Sequence, residues 1–388
     1  MSITVTRLPL RPPPSYILPP SHHIGSPPTS FRNPWPSFTS NNSFLSIFHM
    51  RFLSANRNFV PVPASRAELV PIHTPDWGGG LPGLKATWIG HASFLVETSS
   101  QPGAKRGVRI LLDPVFSERM SPVSWIGPKR FSPPPCKLEE LPVVDVVIIS
   151  HNHYDHLDAA TVRFVRERGD GRVRFLCGLN VGRHLEGMGV LREEIVEMDW
   201  WEEGRVSVKG VGSVRLSCTP AQHTSGRGPG DMGVGLWCSW VVKEDGEAED
   251  EVPDGKRLFF AGDTAYRSIP HDSPTPYQTT TYPYCPAFAE IGALHGPFDL
   301  ALLPIGCYSP RSYLSHVHAS PEDAIEIHKD VRSRKSVGMH YGTVRGGLSM
   351  MYEDVREPPR RWREGAEREE LRWGEEVRVC GIGETVVV

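Results

Sequence analysis

From residue 61 onward, short apolar runs alternate with turn-forming clusters, which is the pattern of a strand-rich domain. KATWI (85–89), SFLVE (93–97), RILLD (109–113), VVDVVIIS (143–150), VRFLC (173–177), VRLSCTP (214–220), GLWCSWVVK (235–243), RLFFAGD (257–263), DLALLPIG (299–306), KSVGM (335–339) and EVRVCGI (376–382) predict strands by their β-branched and aromatic content. Helical patterns fall between some of them. Asp158 is placed to N-cap AATVRFVRER, and Ser320 followed by Pro321, Glu322 and Asp323 is a start signal for EDAIEIHKDV. REPPRRWREGAEREELRW reads as a charged surface helix behind a proline break. Two facing sheets with helices outside account for this order.

Residues 1–60 break the pattern. RPPPSYILPPSHHIGSPPTSFRNPWPS is too rich in proline and serine to run as a helix or pair as a central strand, which predicts a disordered extension. NSFLSIFHMRFLSANRNF gathers Phe44, Leu45, Ile47, Phe48, Phe52 and Leu53 around Arg51, yet is shorter than the ~20 apolar residues a bilayer span needs. Three readings stand for this extension: an organelle transit peptide, mitochondrial targeting included, on its acid-free Arg and Ser content; a membrane-interface segment on its Phe/Leu piece; or an extension with no address. The globular domain then covers 61–388. Within it EDGEAEDEVPDGK (244–256) predicts a solvated hairpin loop, and YRSIPHDSPTPYQTTTYPYCP (266–286), with Tyr266, Tyr277, Tyr282 and Tyr284, predicts a loop overhanging a site.

Composition narrows the class. The 388 residues carry a formal charge of −3, but the five arginines and no acids of residues 1–60 leave 37 basic against 45 acidic residues for the rest. A net acidic body argues against a nucleic-acid partner. Seven cysteines show no CxxC pair, so neither a disulfide framework nor a thiolate zinc cluster is indicated, and an intracellular compartment is expected.

The chemistry concentrates in SHNHYDHLD (150–158), three histidines and two aspartates directly behind an apolar strand. His151 and His153, two apart in extended chain, share one side, and a turn can carry Asp155 and His156 to an adjacent point. Imidazoles and carboxylates without a thiolate suit a hydrolytic zinc centre with an open position. Further ligands are expected from other strand ends: His223, Asp263 and His340. The expected assignment is His151, His153 and His223 on one zinc, Asp155, His156 and His340 on the other, and Asp263 between them.

HNHYDHLD resembles the HxHxDH signature of the metallo-β-lactamase superfamily, with His, Asp and His following in that order. WIGHASFLVE, DPVFSERMSPVSWIGPKRF, DWWEE, TPAQH, FFAGDT, CPAFAEIGALHGPFDLALLPIGCYSPR and MHYGT are together similar to N-acyl-phosphatidylethanolamine-hydrolysing phospholipase D over most of residues 85–345. The resemblance implies an α/β fold, the metallo-β-lactamase-like four-layered αββα sandwich. It also implies a dizinc, peripherally membrane-associated and often dimeric enzyme that converts N-acyl-phosphatidylethanolamine into an N-acylethanolamine and phosphatidic acid. His318 falls where that family has a non-ligand active-site histidine, whereas His316 matches no family residue. Departures are the insert after Asp263, the glycine-rich TSGRGPGDMGVG after His223, and the N-terminal extension.

Two Zn²⁺ ions offset by Asp155, Asp263 and one hydroxide would leave about +1, attractive to a phosphodiester, with Asp155 orienting the attacking water. His318 is expected to stabilise the transition state or protonate the departing oxygen. Trp200, Trp201, Tyr308 and Leu314 are candidate walls for an apolar route, and Arg311 a candidate for steering the head group. His91 is expected to hydrogen-bond within the fold, and His22, His23, His271, His295 and His328 to be surface or tail residues. A lactone or amide hydrolase is the alternative, since the same nucleophile attacks a carbonyl. A nuclease, or a relative that has lost its metals, is a weaker reading.

Overall fold

Val146–Ile149 shows why these strands are apolar throughout. Val146 and Ile148 enter the core between two sheets, while Val147 and Ile149 pack into the helical layer outside. The computed structural model that shows this describes residues 2–39, 48, 50, 53, 60–228, 230–245, 255–270, 273, 282–346, 349 and 352–388.

The seven-stranded sheet runs, in spatial order, Thr385–Val387, Lys85–Gly90, Ser93–Glu97, Arg109–Leu112, Val146–Ile149, Arg174–Gly178 and Ile195–Met198. Its first four strands pair antiparallel and the remaining junctions are parallel. The eight-stranded sheet runs Ile3–Arg7, Glu203–Val208, Gly212–Thr219, Ser239–Asp245, Arg257–Phe260, Leu300–Pro304, Ser336–Met339 and Val377–Arg378, again antiparallel and then parallel, from Arg257–Phe260 onward. Leu112 and Ile148 of one sheet share a core with Leu216, Trp240 and Phe260 of the other.

Helices cover both outer faces, giving the α/β sandwich. Ala159–Gly169 starts at Asp158, whose carboxylate accepts the Ala160 N–H, and buries Val162 and Val165 against the seven-stranded sheet. Pro321–Asp330 starts at a capping box of Ser320 and Asp323 with proline in the first turn, and packs against Ala287–His295 and Glu357–Arg368. The last of these, expected as a surface helix, presents its charges outward but buries Trp362 completely.

The N-terminal expectation needs correction. Residues 2–39 are not a disordered extension: Ile3–Arg7 adds an antiparallel strand to the edge of the eight-stranded sheet, and the arm beyond it buries Phe31 and His22. Proline excludes a helix interior and a central strand, not an extended chain laid on an edge, and a few apolar side chains suffice to anchor it. Most of the Phe/Leu-rich piece at 42–59 lies outside the described residues, as do 246–254 of the acidic loop and His271 and Tyr277 of the tyrosine-rich insert. The flanks of the acidic loop pair as a hairpin, with Glu244 N–H donating to Lys256 O at 2.9 Å. Tyr266 is buried, stacked on Tyr284 and hydrogen-bonded to Asp330, so the start of the insert is core. All seven cysteines are unpaired. Among the described residues no helix is long and apolar enough to cross a membrane.

Candidate metal centre

His151 follows the strand Val146–Ile149, and the chain then folds back on itself, the His153 carbonyl accepting the N–H groups of His156 and Leu157. Asp158 fastens the far end of this loop by accepting from Phe116 N–H, Ser117 and Thr161. The turn therefore sends its first two histidines and its next two ligand-type residues to neighbouring points.

At the first point, His153 Nδ1 lies 2.9 Å from His151 Nε2 and 3.3 Å from His223 Nε2. Ligand atoms on a tetrahedral zinc, each about 2.0–2.1 Å from the metal, lie roughly 3.3 Å apart, so the three nitrogens fit one cation. Two of the outer nitrogens are fixed: His223 Nδ1–H donates to Val317 O at 2.7 Å, and His151 Nδ1 contacts Ser150 Oγ at 2.8 Å. The inner nitrogens of these two rings then keep their lone pairs for the centre.

At the second point His91, Asp155, His156 and His340 bring ligand atoms within 4.8 Å of one another. His156 Nε2 and His340 Nε2 are 3.3 Å apart, and Asp155 Oδ2 is 3.9 Å from each. Asp263 reaches both groups. Its Oδ2 is 3.1 Å from His156 and 3.7 Å from His223, and its Oδ1 is 2.9 Å from His340. The chain is bent to allow this. Gly262 sits at φ 58°, and a Cβ there would come 2.6 Å from Ser150 Cβ. His91, Asp113 and His340 also hold positive φ, of 53°, 37° and 61°, a strain concentrated at the site.

The donor set tests well for a cation. It is all imidazole and carboxylate, its His151, His156, His223, Asp263 and His340 are buried, and Asp263 Oδ1 faces His340 Nε2 at 2.9 Å. Burial holds His151 and His223 well below the ordinary histidine range, so both rings are neutral, the form that would bind a cation. Burial also works against charge on His156, but Asp263, Asp155 and Asp113 outweigh it and hold that ring up at about 10. Carboxylates that retain a proton there would equally retain a metal.

All seven residues expected as ligands converge. His318 joins them: its Nδ1 is 4.0 Å from Asp263 Oδ2, its ring 5.3 Å from that of His223, and burial pushes it down to about 4. Asp113 was missed, although it stands at the end of a predicted strand. It accepts from His156 Nδ1 at 2.7 Å, from Ser150 N–H at 2.7 Å and from Ser150 Oγ at 2.5 Å. His91 does hydrogen-bond within the fold, its Nε2 3.0 Å from Asp155 Oδ2. Asn33 was also missed: from the N-terminal arm it donates to His223 O at 2.7 Å.

The expected substrate residues fare differently. Arg311 is buried in an ion pair with Asp323 and donates to His318 O, so it braces the His318 segment and is not available to a head group. Tyr308 is fully buried. Trp200 and Trp201 lie beneath the N-terminal arm, Trp200 stacked between His22 and Trp35, because the arm supplies the aromatic cover that the DWWEE segment needs. Leu314 is half-buried and its carbonyl accepts the His318 N–H. His22 and His328, expected at the surface, are buried, His328 bonded to Ser336. A cavity of about 350 Å³ flanks the metal loop beside Tyr154, lined by Arg119, Arg163, Arg183 and Arg227.

Residues 108–341 match the family model described as the beta-lactamase superfamily domain. The chain is 34% identical over 293 residues to the N-acyl-phosphatidylethanolamine-hydrolyzing phospholipase D 1 of Caenorhabditis elegans, covering 74% of this chain and 72% of that protein. It is 27% identical over 344 residues to the N-acyl-phosphatidylethanolamine-hydrolyzing phospholipase D, mitochondrial, of Saccharomyces cerevisiae, covering 81% and 67%. The solved isothiocyanate hydrolase from Delia radicum gut bacteria shares the fold with a TM-score of 0.52 at 18% identity, covering 78% and 98%. The chain is thus a metal-dependent hydrolase that belongs to the metallo-β-lactamase superfamily and, within it, to the family of N-acyl-phosphatidylethanolamine-hydrolysing phospholipases D.

Proposed function

We propose that the chain is a dizinc phosphodiesterase that hydrolyses N-acyl-phosphatidylethanolamine to an N-acylethanolamine and phosphatidic acid at a membrane surface. The observation that carries the reading is Asp263: one carboxylate within 4 Å of members of two histidine groups, the arrangement a pair of cations would share. His151, His153 and His223 would hold one zinc, and Asp155, His156 and His340 the other. Two zinc ions would contribute Lewis acidity, lowering the pKa of water held there to roughly 7.

The protein's own groups would do the rest. Asp155, oriented by His91, would accept a hydrogen bond from the attacking water and aim it at phosphorus. The bond from phosphorus to the ethanolamine oxygen breaks as the new one forms, and the water's proton ends on the departing oxygen. His318 is neutral at physiological pH, so it would serve as a hydrogen-bond donor to that oxygen and not as an imidazolium acid. The arginine-lined cavity beside Tyr154 supports an anionic substrate. The names of the Caenorhabditis and Saccharomyces relatives support the lipid class, and the latter's name makes a mitochondrial address the one to examine first.

The test is mass spectrometry of products from the wild type and His153→Ala, on an N-acyl-phosphatidylethanolamine and on an acyl lactone. N-Acylethanolamine from the wild type and none from the variant is expected. Turnover of the lactone alone would overturn the reading in favour of a carbonyl hydrolase.

A further inference from the structure

We infer that His22, His23 and Asp199 form a separate divalent-cation site, of the zinc class, that staples the N-terminal arm to the loop after Ile195–Met198. It shares no residue with the centre described above.

The geometry is that of a three-ligand half-shell. His22 Nε2 lies 2.8 Å from Asp199 Oδ1, and His23 Nε2 lies 2.8 Å from Asp199 Oδ2. The three ligand atoms fall within 4.8 Å of one another. The two contacts are not alike. The first is a hydrogen bond, whereas His23 Nε2 is buried and makes no hydrogen bond despite its short approach to the carboxylate. A buried ring nitrogen left unsatisfied beside a carboxylate oxygen is costly unless a third body takes both lone pairs. A cation does that.

The side chains are held ready. His22 stacks on Trp200 with ring centroids 4.1 Å apart, and His23 meets Phe31 edge-on at 5.6 Å. Asp199 is fixed through the Trp200 N–H, which donates to Oδ1 at 2.8 Å, and through its own N–H, which donates to Glu202 at 2.9 Å. Two imidazoles and one carboxylate, with water completing the shell, select zinc or a similar first-row ion over magnesium or calcium, which prefer oxygen donors.

The staple has a mechanical purpose. Beyond His23 the same arm supplies Asn33 to the His223 carbonyl and Ser37 to Gln222, at 2.7 and 2.5 Å. A cation bound to the folded arm and not to a loose one stabilises the docked form by mass action, and so steadies the loop that carries His223.

Full-length protein, stripped with chelator and reloaded with zinc, would be dialysed and its metal content measured for the wild type, His23→Gln and Asp199→Asn. Each variant should bind about one zinc per chain fewer than the wild type, whatever the content of the main centre. Equal zinc in all three would overturn the proposal and leave a plain hydrogen-bonded clamp. Trypsin cleavage after Arg32 supplies the second measurement. In the wild type, added zinc should slow cleavage several-fold, and in His23→Gln it should not. Cleavage indifferent to zinc in the wild type would also overturn the proposal, even if the variants fold poorly.

Discussion

Asp113 receives the outward ring nitrogen of His156 at 2.7 Å while binding both the N–H and the hydroxyl of Ser150, and so it fixes the direction in which His156 presents its other nitrogen. A carboxylate behind a ligand histidine sets the tautomer and raises the ring's basicity. Asp113→Asn should leave the fold intact and weaken metal affinity about 10- to 100-fold. Metal content after dialysis would show the loss, and activity should return with excess zinc. Wild-type retention of metal in the variant would exclude the positioning role.

His318 faces the same carboxylate as the candidate ligand groups but stands at the edge of their reach, 4.0 Å from Asp263 Oδ2. His318→Asn should keep full metal content and lose roughly 10²-fold in kcat with little change in KM. Because burial places its pKa at about 4, no ionisation from this ring should appear in the rate profile between pH 6 and 8. A variant that lost metal would make His318 a ligand.

Glu353 offers a pH-dependent element in the segment that follows Leu300–Pro304. Its buried carboxyl accepts the N–H groups of Cys307, Tyr308 and Ser309, and burial pushes it up from 4.5 to about 7. The folded state therefore holds this proton to higher pH than the unfolded chain does. Stability from the group is fully present below pH 4.5 and is lost as pH climbs through 7, on the order of 3 kcal/mol at most. Thermal unfolding of the wild type and Glu353→Gln from pH 5 to 8, at fixed zinc, should show a flatter pH dependence in the variant. Parallel curves would refute it.

The eleven strands read from apolar runs all exist, because a strand buried on both faces writes a continuous hydrophobic signal. Ile3–Arg7, Ile195–Met198, Glu203–Val208 and Thr385–Val387 were missed for the opposite reason: each is only partly buried, so ITVTR, IVEM, EGRVSV and TVV offer a short or broken apolar signal. The seven ligand-type residues were legible since each follows a predicted strand. Asp113 was equally well placed, but a lone aspartate before proline carries no metal-like spacing. Arg311 misled because its partner, Asp323, was read only as part of a helix start, and nothing local reveals that the same carboxylate also pairs a guanidinium.

Ile3–Arg7 also bounds its sheet, covering the outer backbone of Glu203–Val208, which would otherwise present an unpaired row of N–H and C=O groups. Trimming the first seven residues in the belief that they are dispensable would bare that row. The expected penalty is less a slower enzyme than a sticky one, prone to self-association through strand-to-strand zippering.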